Sequence, residues 1–266
     1  MKFFKFDGAG NDFVIIDNRE GHYRLTQKQI QQICDRRVGV GADGFMMINK
    51  GNAPYDFEMK FYNSDGAAAS MCGNGGRCIT ICAYMLNIPC HSKSHKREYY
   101  FLGPDGPHRS LVEMWSNKKH TGLVRLMMSP VKKKDVKPCL DGWFLDTGSP
   151  HYVQWVKDLW NFDVYGEGYR IRHMTDLFPK GTNVDFVELD VDDCLMVRTF
   201  ERGVEDETWA CGTGVTACAL MTGRHHIKTY GGNFVVGFDE SETGFDNVSL
   251  MGPVSLNFVG EWFGCK

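Results

Sequence analysis

The 266-residue chain is short of proline, with nine in all, and has no apolar run of the roughly 18 to 20 residues that a membrane helix needs. It has no excess of either charge: 30 Lys and Arg stand against 33 Asp and Glu, a net charge of −3. That balance excludes affinity built on phosphate neutralisation, so neither a nucleic acid nor an anionic membrane is an expected partner. The longest basic runs, Lys132 to Lys134 and Lys93 to Arg97, are short and read as solvated surface. C-x-x-C, H-E-x-x-H and P-loop patterns are all missing, so no metal and no cofactor is expected. The amino-terminal segment meets Lys5 and Asp7 too soon for a signal peptide, and a cytoplasmic location is expected.

What is present is an ordinary globular composition, 42% apolar and 24% charged, long enough for one large or two medium cores. The ten cysteines fall well below the roughly 8–10% of a disulfide scaffold. Eight of them read as reduced core thiols, and Cys72 and Cys211 stand apart for reasons given below.

Thr26 and Gln29 form a capping box ahead of Ile30, Ile33, Cys34 and Arg37, which predicts a helix over residues 27–37. Ten short β-branched and aromatic runs read as strands: 13–17, 45–48, 57–62, 111–115, 124–127, 152–156, 184–189, 195–200, 234–238 and 254–259. Two more helices, 76–86 and 214–222, each follow a Cys-Gly-x-Gly turn. Many short strands with few helices predict an α+β fold of curled, mostly antiparallel sheets.

An internal repeat organises these elements. Gly10-Asn-Asp-Phe-Val matches Gly148-Ser-Pro-His-Tyr-Val, Gly41-Ala-Asp-Gly-Phe matches Gly181-Thr-Asn-Val-Asp-Phe, and Cys72-Gly-Asn-Gly matches Cys211-Gly-Thr-Gly. Three matches in one order at nearly one offset imply a duplicated half-chain, hence two homologous domains. The polar stretch 116–122 predicts the boundary, giving domains 1–118 and 119–252.

Two glycine patterns invite a nucleotide reading and fail it. Gly39-Val-Gly41-Ala-Asp-Gly44 follows a helix end and leads into a strand, the reverse of a dinucleotide turn, and Gly212-Thr-Gly214-Val-Thr-Ala217 has no βαβ unit around it. The Cys-Gly-x-Gly pair is different, because both copies sit at a predicted helix N-terminus. Free N–H groups and the helix dipole there favour an anion, lower a thiol's pKa and offer a carboxylate a seat.

Gly8-Ala-Gly-Asn-Asp-Phe-Val, Tyr62-Asn-Ser-Asp-Gly, Met71-Cys-Gly-Asn-Gly-Gly-Arg77, Gly181-Thr-Asn-Val-Asp-Phe, Glu201-Arg-Gly-Val and Ala210-Cys-Gly-Thr-Gly resemble the signature blocks of the diaminopimelate epimerase family, in its order and over nearly the whole chain. The resemblance implies a cofactor-independent epimerase interconverting LL- and meso-diaminopimelate in bacterial lysine and cell-wall synthesis. It also implies a homodimer whose pseudo-symmetric domains each wrap a barrel-like sheet around a central helix, with the active site in the cleft between them. The last strand then returns to the first domain, which takes residues 253–266.

Inverting an α-carbon without pyridoxal phosphate needs a base on one face, an acid on the other, and preorganised donors for the enolate charge. Cys72 and Cys211 are the implied thiolate and thiol, and the helix starts at Gly73-Asn74 and Gly212-Thr213 hold the reacting carboxylate. The resemblance further implies Asn11, Asn63 and Asn183 as substrate-binding amides, Arg202 as a fork on the distal carboxylate and Glu201 as a partner for an ammonium. His151 supports the catalytic pair. The segment from Glu201 to Cys211 is one residue longer than the common family form, and Ser149 stands where some members carry Asn. A related pyridoxal-phosphate-independent racemase acting on another amino acid is the alternative. Proline and hydroxyproline racemases lack the Glu-Arg-Gly block and the phenazine-type isomerases lack the paired cysteines, so Arg202 together with Cys211 points away from both.

Overall fold

A computed structural model describes residues 1–90 and 97–264. Most of the basic run Lys93 to Arg97, and Cys265, therefore lie outside the described residues. The chain divides into two compact units, Met1–Leu126 with Pro253 onward, and Met127–Gly252.

In the first unit the order is β1 (Lys2–Asp7), β2 (Asp12–Asp17), α1 (Gln27–Cys34), β3 (Gly44–Lys50), β4 (Phe57–Asn63), α2 (Gly73–Met85), β5 (Arg97–Gly103), β6 (Gly106–Ser116) and β7 (Thr121–Met127). Antiparallel pairing of β1 with β2, β3 with β4, β5 with β6 and β6 with β7 alternates with parallel pairing of β2 with β3 and β4 with β5. The returning chain at 253–261 pairs with β1 and β7 and closes a barrel of eight strands.

β2 and β3 read as unbroken apolar runs because both of their faces are covered. Val14, Ile16, Phe45 and Met47 point outward onto Ile30, Ile33 and Cys34 of α1. The alternate residues Phe13 and Met46 face inward, toward α2. That inner helix is buried from Asn74 to Ala83, so no amphipathic stripe marks it. The Thr26 capping box forms as expected, with Thr26 N–H donating to Gln29 Oε1 at 2.9 Å. α1 nevertheless stops at Cys34 instead of running to residue 37, because Asp35 Oδ1 accepts from the N–H groups of Arg37 and Val38 and turns the chain.

The second unit contains β8 (Val131–Lys132), β9 (Lys137–Cys139), β10 (Gly142–Asp146), β11 (Pro150–Trp155), α3 (Val164–Arg172), β12 (Asn183–Leu189), β13 (Leu195–Glu201), β14 (Asp206–Thr208), α4 (Gly212–Thr222), β15 (His226–Thr229), β16 (Gly232–Glu240) and the start of β17 (Gly244–Glu261). The pairing repeats that of the first unit: β10 with β11 antiparallel, β11 with β12 parallel, β12 with β13 antiparallel, β13 with β15 parallel, then β15, β16 and β17 antiparallel. α3 covers the outer face at Tyr152, Val184, Phe186 and Phe200, as α1 does in the first unit. α4 is the buried inner helix.

The duplication is thus visible as topology. Gly41 and Gly181, matched in the repeat, both hold a positive φ, 78° and 69°, which a side chain disfavours. The stretch 116–122, expected as a boundary, instead forms the tight turn of the β6–β7 hairpin, and its strands keep it inside the first unit. α3 carries two glycines and gave no helical signal; at Gly168 a Cβ would lie 2.4 Å from that of Phe200, so glycine lets this helix lie close on β13. Among the described residues no helix is long and apolar enough to cross a membrane.

Candidate active site

Each inner helix starts at one of the paired cysteines. Cys72 is the N-cap of α2 with φ −106° and ψ 129°, and Cys211 is the N-cap of α4 with φ −108° and ψ 112°. Both carbonyls accept the first helical bond at 2.8 Å, from Gly76 N–H and Val215 N–H. The Gly-x-Gly residues are therefore the first helical turn itself, not a turn before it, and the helices begin at Gly73 and Gly212 where 76 and 214 were expected. The sulfurs stand beside N–H groups that have no acceptor within the helix, the arrangement that seats an anion. A Cβ on Gly73 would meet nothing within 4 Å, which leaves that helix start open.

In the first unit Cys72 Sγ donates to Asn11 Oδ1 at 3.5 Å, and Asn74 Nδ2 donates to the same oxygen at 3.4 Å. Asn11 is oriented by Asp43, whose Oδ2 accepts from Asn11 Nδ2 at 2.8 Å. Asp43 is held in turn by Arg36, which forks across Asp12 and Asp43 at 2.7–3.0 Å. Below the helix start, the fully buried Arg77 donates to Asn74 Oδ1 at 2.9 Å. So Asn11, Cys72, Gly73 and Asn74 come together. Asn63 ends β4, and among the described residues no hydrogen bond joins its side chain to this group; its N–H donates to Ala67 O.

In the second unit His151 Nε2 lies 2.9 Å from Thr213 Oγ1, which lies 3.4 Å from Cys211 Sγ. His151 Nδ1 donates to Asp185 Oδ2 at 2.7 Å, and Thr199 Oγ1 donates to Asp185 Oδ1 at 2.7 Å. Thr147 Oγ1 donates to the Thr213 carbonyl at 2.8 Å and anchors the helix start. Asn183 Oδ1 accepts from Arg202 N–H at 2.8 Å, while its Nδ2 donates to Pro150 O at 3.0 Å. The Arg202 guanidinium donates to Lys180 O at the surface, and Glu201 Oε2 accepts from Thr208 Oγ1 at 2.9 Å.

Burial pushes the Cys211 thiol well above its ordinary value, with the charges of Glu201 and Asp185 adding to it. Burial likewise raises Glu201, partly offset by the Thr208 bond and His151. Burial raises Cys78, Cys82 and Cys218 in the same way, so at Cys211 burial outweighs the lowering expected from a helix start, and this direction does not set Cys211 apart from the core thiols.

Sequence reasoning missed Asp43, Asp185, Thr147 and Thr199. Asp185 had a readable signal: it is a charged residue in the middle of the apolar run Asn-Val-Asp-Phe-Val, two positions from Asn183 and so on the same face of β12.

A duplicated α+β fold, each half a curled sheet around an inner helix, is the class this chain belongs to, and solved structures share that fold. A probable proline racemase from Agrobacterium radiobacter covers 99% of this chain and 93% of its own, with a TM-score of 0.69 at 12% identity. A Bacillus anthracis phenazine biosynthesis protein covers 99% of both, at 0.66 and 14%. At such identities the likeness is one of fold. Sequence narrows it further. The diaminopimelate epimerase family model matches residues 3–100 and 143–256. A diaminopimelate epimerase of Chlorobaculum tepidum is 41% identical over 95% of this chain and 98% of its own. One from Flavobacterium psychrophilum is 40% identical over 97% and 98%. The chain belongs to the diaminopimelate epimerase family, and so to the isomerases.

Proposed function

We propose that the protein is a cofactor-independent epimerase that interconverts LL- and meso-2,6-diaminopimelate by two-base proton transfer, in the route to lysine and peptidoglycan precursor. The observation that carries this reading is the pair of cysteine N-caps, with backbone angles that nearly coincide, at the two inner helices of a duplicated fold. One thiol serves each face of the α-carbon: a thiolate takes the old proton, a thiol gives the new one, and the roles exchange with reaction direction. The N–H groups at Gly73-Asn74 and Gly212-Thr213 hold the reacting carboxylate as it gains enolate charge. Arg202 forks the distal carboxylate, Glu201 takes an ammonium, and Asn11, Asn63 and Asn183 bind the remaining polar atoms. His151 supports Cys211. A homodimer in the cytoplasm goes with this reading, and sedimentation equilibrium tests the dimer.

Solvent labelling tests the chemistry. In D₂O the first-formed product should carry deuterium at the inverted carbon while recovered substrate stays protiated, because the acid has exchanged with solvent and the base lies on the wrong face to deliver inversion. Cys72→Ala and Cys211→Ala should each stop turnover. Deuterium entering substrate as fast as product overturns the reading, as does either variant keeping more than a tenth of wild-type turnover, a barrier change of only about 1.4 kcal/mol.

A further inference from the structure

Asp185 is a carboxylate with no measurable exposure, set by β12 beneath the first turn of α4. Both its oxygens are engaged at 2.7 Å, Oδ2 by His151 Nδ1 and Oδ1 by Thr199 Oγ1. A carboxylate only accepts, so the imidazole proton faces it. The other ring nitrogen gives an independent reading. Because Asn183 Oδ1 accepts from Arg202 N–H and its Nδ2 donates to Pro150 O, the orientation of that amide is fixed. The same Nδ2 lies 3.3 Å from His151 Nε2, and an amide N–H aimed there requires a lone pair. Both neighbours thus select the Nδ1–H tautomer. Thr213 Oγ1, 2.9 Å from Nε2, then donates to it; its single proton is used, and toward Cys211 at 3.4 Å it can only accept. Hydrogen bonds run one way, from Cys211 S–H through Thr213 and His151 to Asp185.

The matched place in the first unit is built differently. A Cβ on Gly214 would fall 2.4 Å from Asp185 Oδ1 and 3.1 Å from His151 Cε1, whereas on the matched Gly75 it would meet Met46 Sδ at 3.3 Å and Phe13 Cε1 at 3.6 Å. A thioether and a phenyl ring fill the places of the carboxylate and the imidazole. An apolar pair thus serves this place in the duplicated barrel, so packing alone does not account for a buried charge in one copy.

We propose that Asp185 is a positioning residue for Cys211: by fixing the His151 tautomer it turns the Thr213 hydroxyl to accept from Cys211, and so keeps this thiol loaded as the acid. The inference rests on Cys211 being one of the two reacting thiols. When Cys211 acts, its S–H bond breaks and the proton joins the α-carbon, whose electron pair forms the new C–H bond; the S–H pair stays on sulfur. Thr213 O–H then swings from His151 Nε2 to the new thiolate.

Nitrogen-15 NMR of the ring nitrogens, with the His151 signals identified by their loss in His151→Gln, should show the proton on Nδ1 and a bare Nε2 in the wild type. Asp185→Asn should move it toward Nε2 and lower kcat about 10- to 100-fold with KM changed less than about threefold. Thr213→Val should lose a similar factor, Thr213→Ser should regain most of it, and the Asp185→Asn/Thr213→Val double variant should be no worse than the poorer single one. A wild-type proton on Nε2, an Asp185→Asn variant with kcat within about threefold of wild type, Thr213→Ser no better than Thr213→Val, or losses that multiply each overturn the proposal. Should Asp185→Asn not fold, the wild-type spectrum and the Thr213 pair still decide. Full turnover by Cys211→Ala would instead defeat the two-thiol reading itself.

Discussion

Gly75 and Gly214 occupy the same place in the two halves, the third residue of an inner helix, yet alanine should be received very differently. Ala is favoured over Gly by about 0.8–1 kcal/mol in a helix interior and by at most that in this first turn. At Gly75 the new methyl would sit 3.3 Å from the Met46 sulfur, a flexible thioether that needs to give by only a few tenths of an ångström. The expected net effect of Gly75→Ala is within about 1 kcal/mol of zero. At Gly214 the methyl would sit 2.4 Å from Asp185 Oδ1, roughly 1 Å inside ordinary contact. The carboxylate must move and leave at least one of its 2.7 Å bonds, to His151 or Thr199. Overpacking strain of about 1–3 kcal/mol and a lost charge-assisted bond of about 1.5–3 kcal/mol, less the helix gain, leave about 2–5 kcal/mol of destabilisation. At roughly 2–4 °C per kcal/mol that is a fall on the order of 5–15 °C in Tm. Thermal unfolding of both variants by circular dichroism, with epimerisation measured alongside, checks the contrast. Equal Tm losses at the two positions, or a Gly214→Ala enzyme of wild-type stability, would refute the reasoning, because no packing difference would then exist between the halves.

Arg202→Lys keeps the charge but loses the planar fork, and should weaken transition-state binding by about 2–4 kcal/mol; equal losses of affinity for lysine and for diaminopimelate analogues would remove Arg202 from the distal carboxylate. Burial pushes Asp12 up, but the bonds from Arg36 and Lys5 outweigh it and hold the carboxyl below the usual range. Its stabilising contribution is therefore complete above the unfolded value of about 3.9 and lost as pH falls toward the native one. Asp12→Asn strands the buried Lys5 ammonium, at about 3–5 kcal/mol, and should flatten the decline of the urea midpoint below pH 4; parallel declines in variant and wild type would count against this pairing.

Local chemistry made part of this protein readable in one dimension. The Thr26 capping box, the positive-φ glycines Gly41 and Gly181, and the Cys-Gly-x-Gly helix starts each need particular residue types at fixed spacing, and duplication left the glycines and the helix starts as matching words. β2 and β3 were legible because burial on both faces makes an apolar run. Tertiary packing overrides local preference elsewhere: β1 mixes Lys2, Lys5 and Asp7 among its aromatic residues, α3 keeps Gly168 for close approach to Phe200, and the polar stretch 116–122 is a hairpin tip within the first unit. The sequence by itself determined that there are two copies of a cysteine-capped helix. Only the tertiary structure decided that the copies are chemically unlike. His151 on β11, Asp185 on β12, Thr199 on β13 and Thr213 on α4 are brought together by strand register, and a proton's direction along that chain depends on distances of 2.7–3.4 Å that no spacing in the sequence encodes.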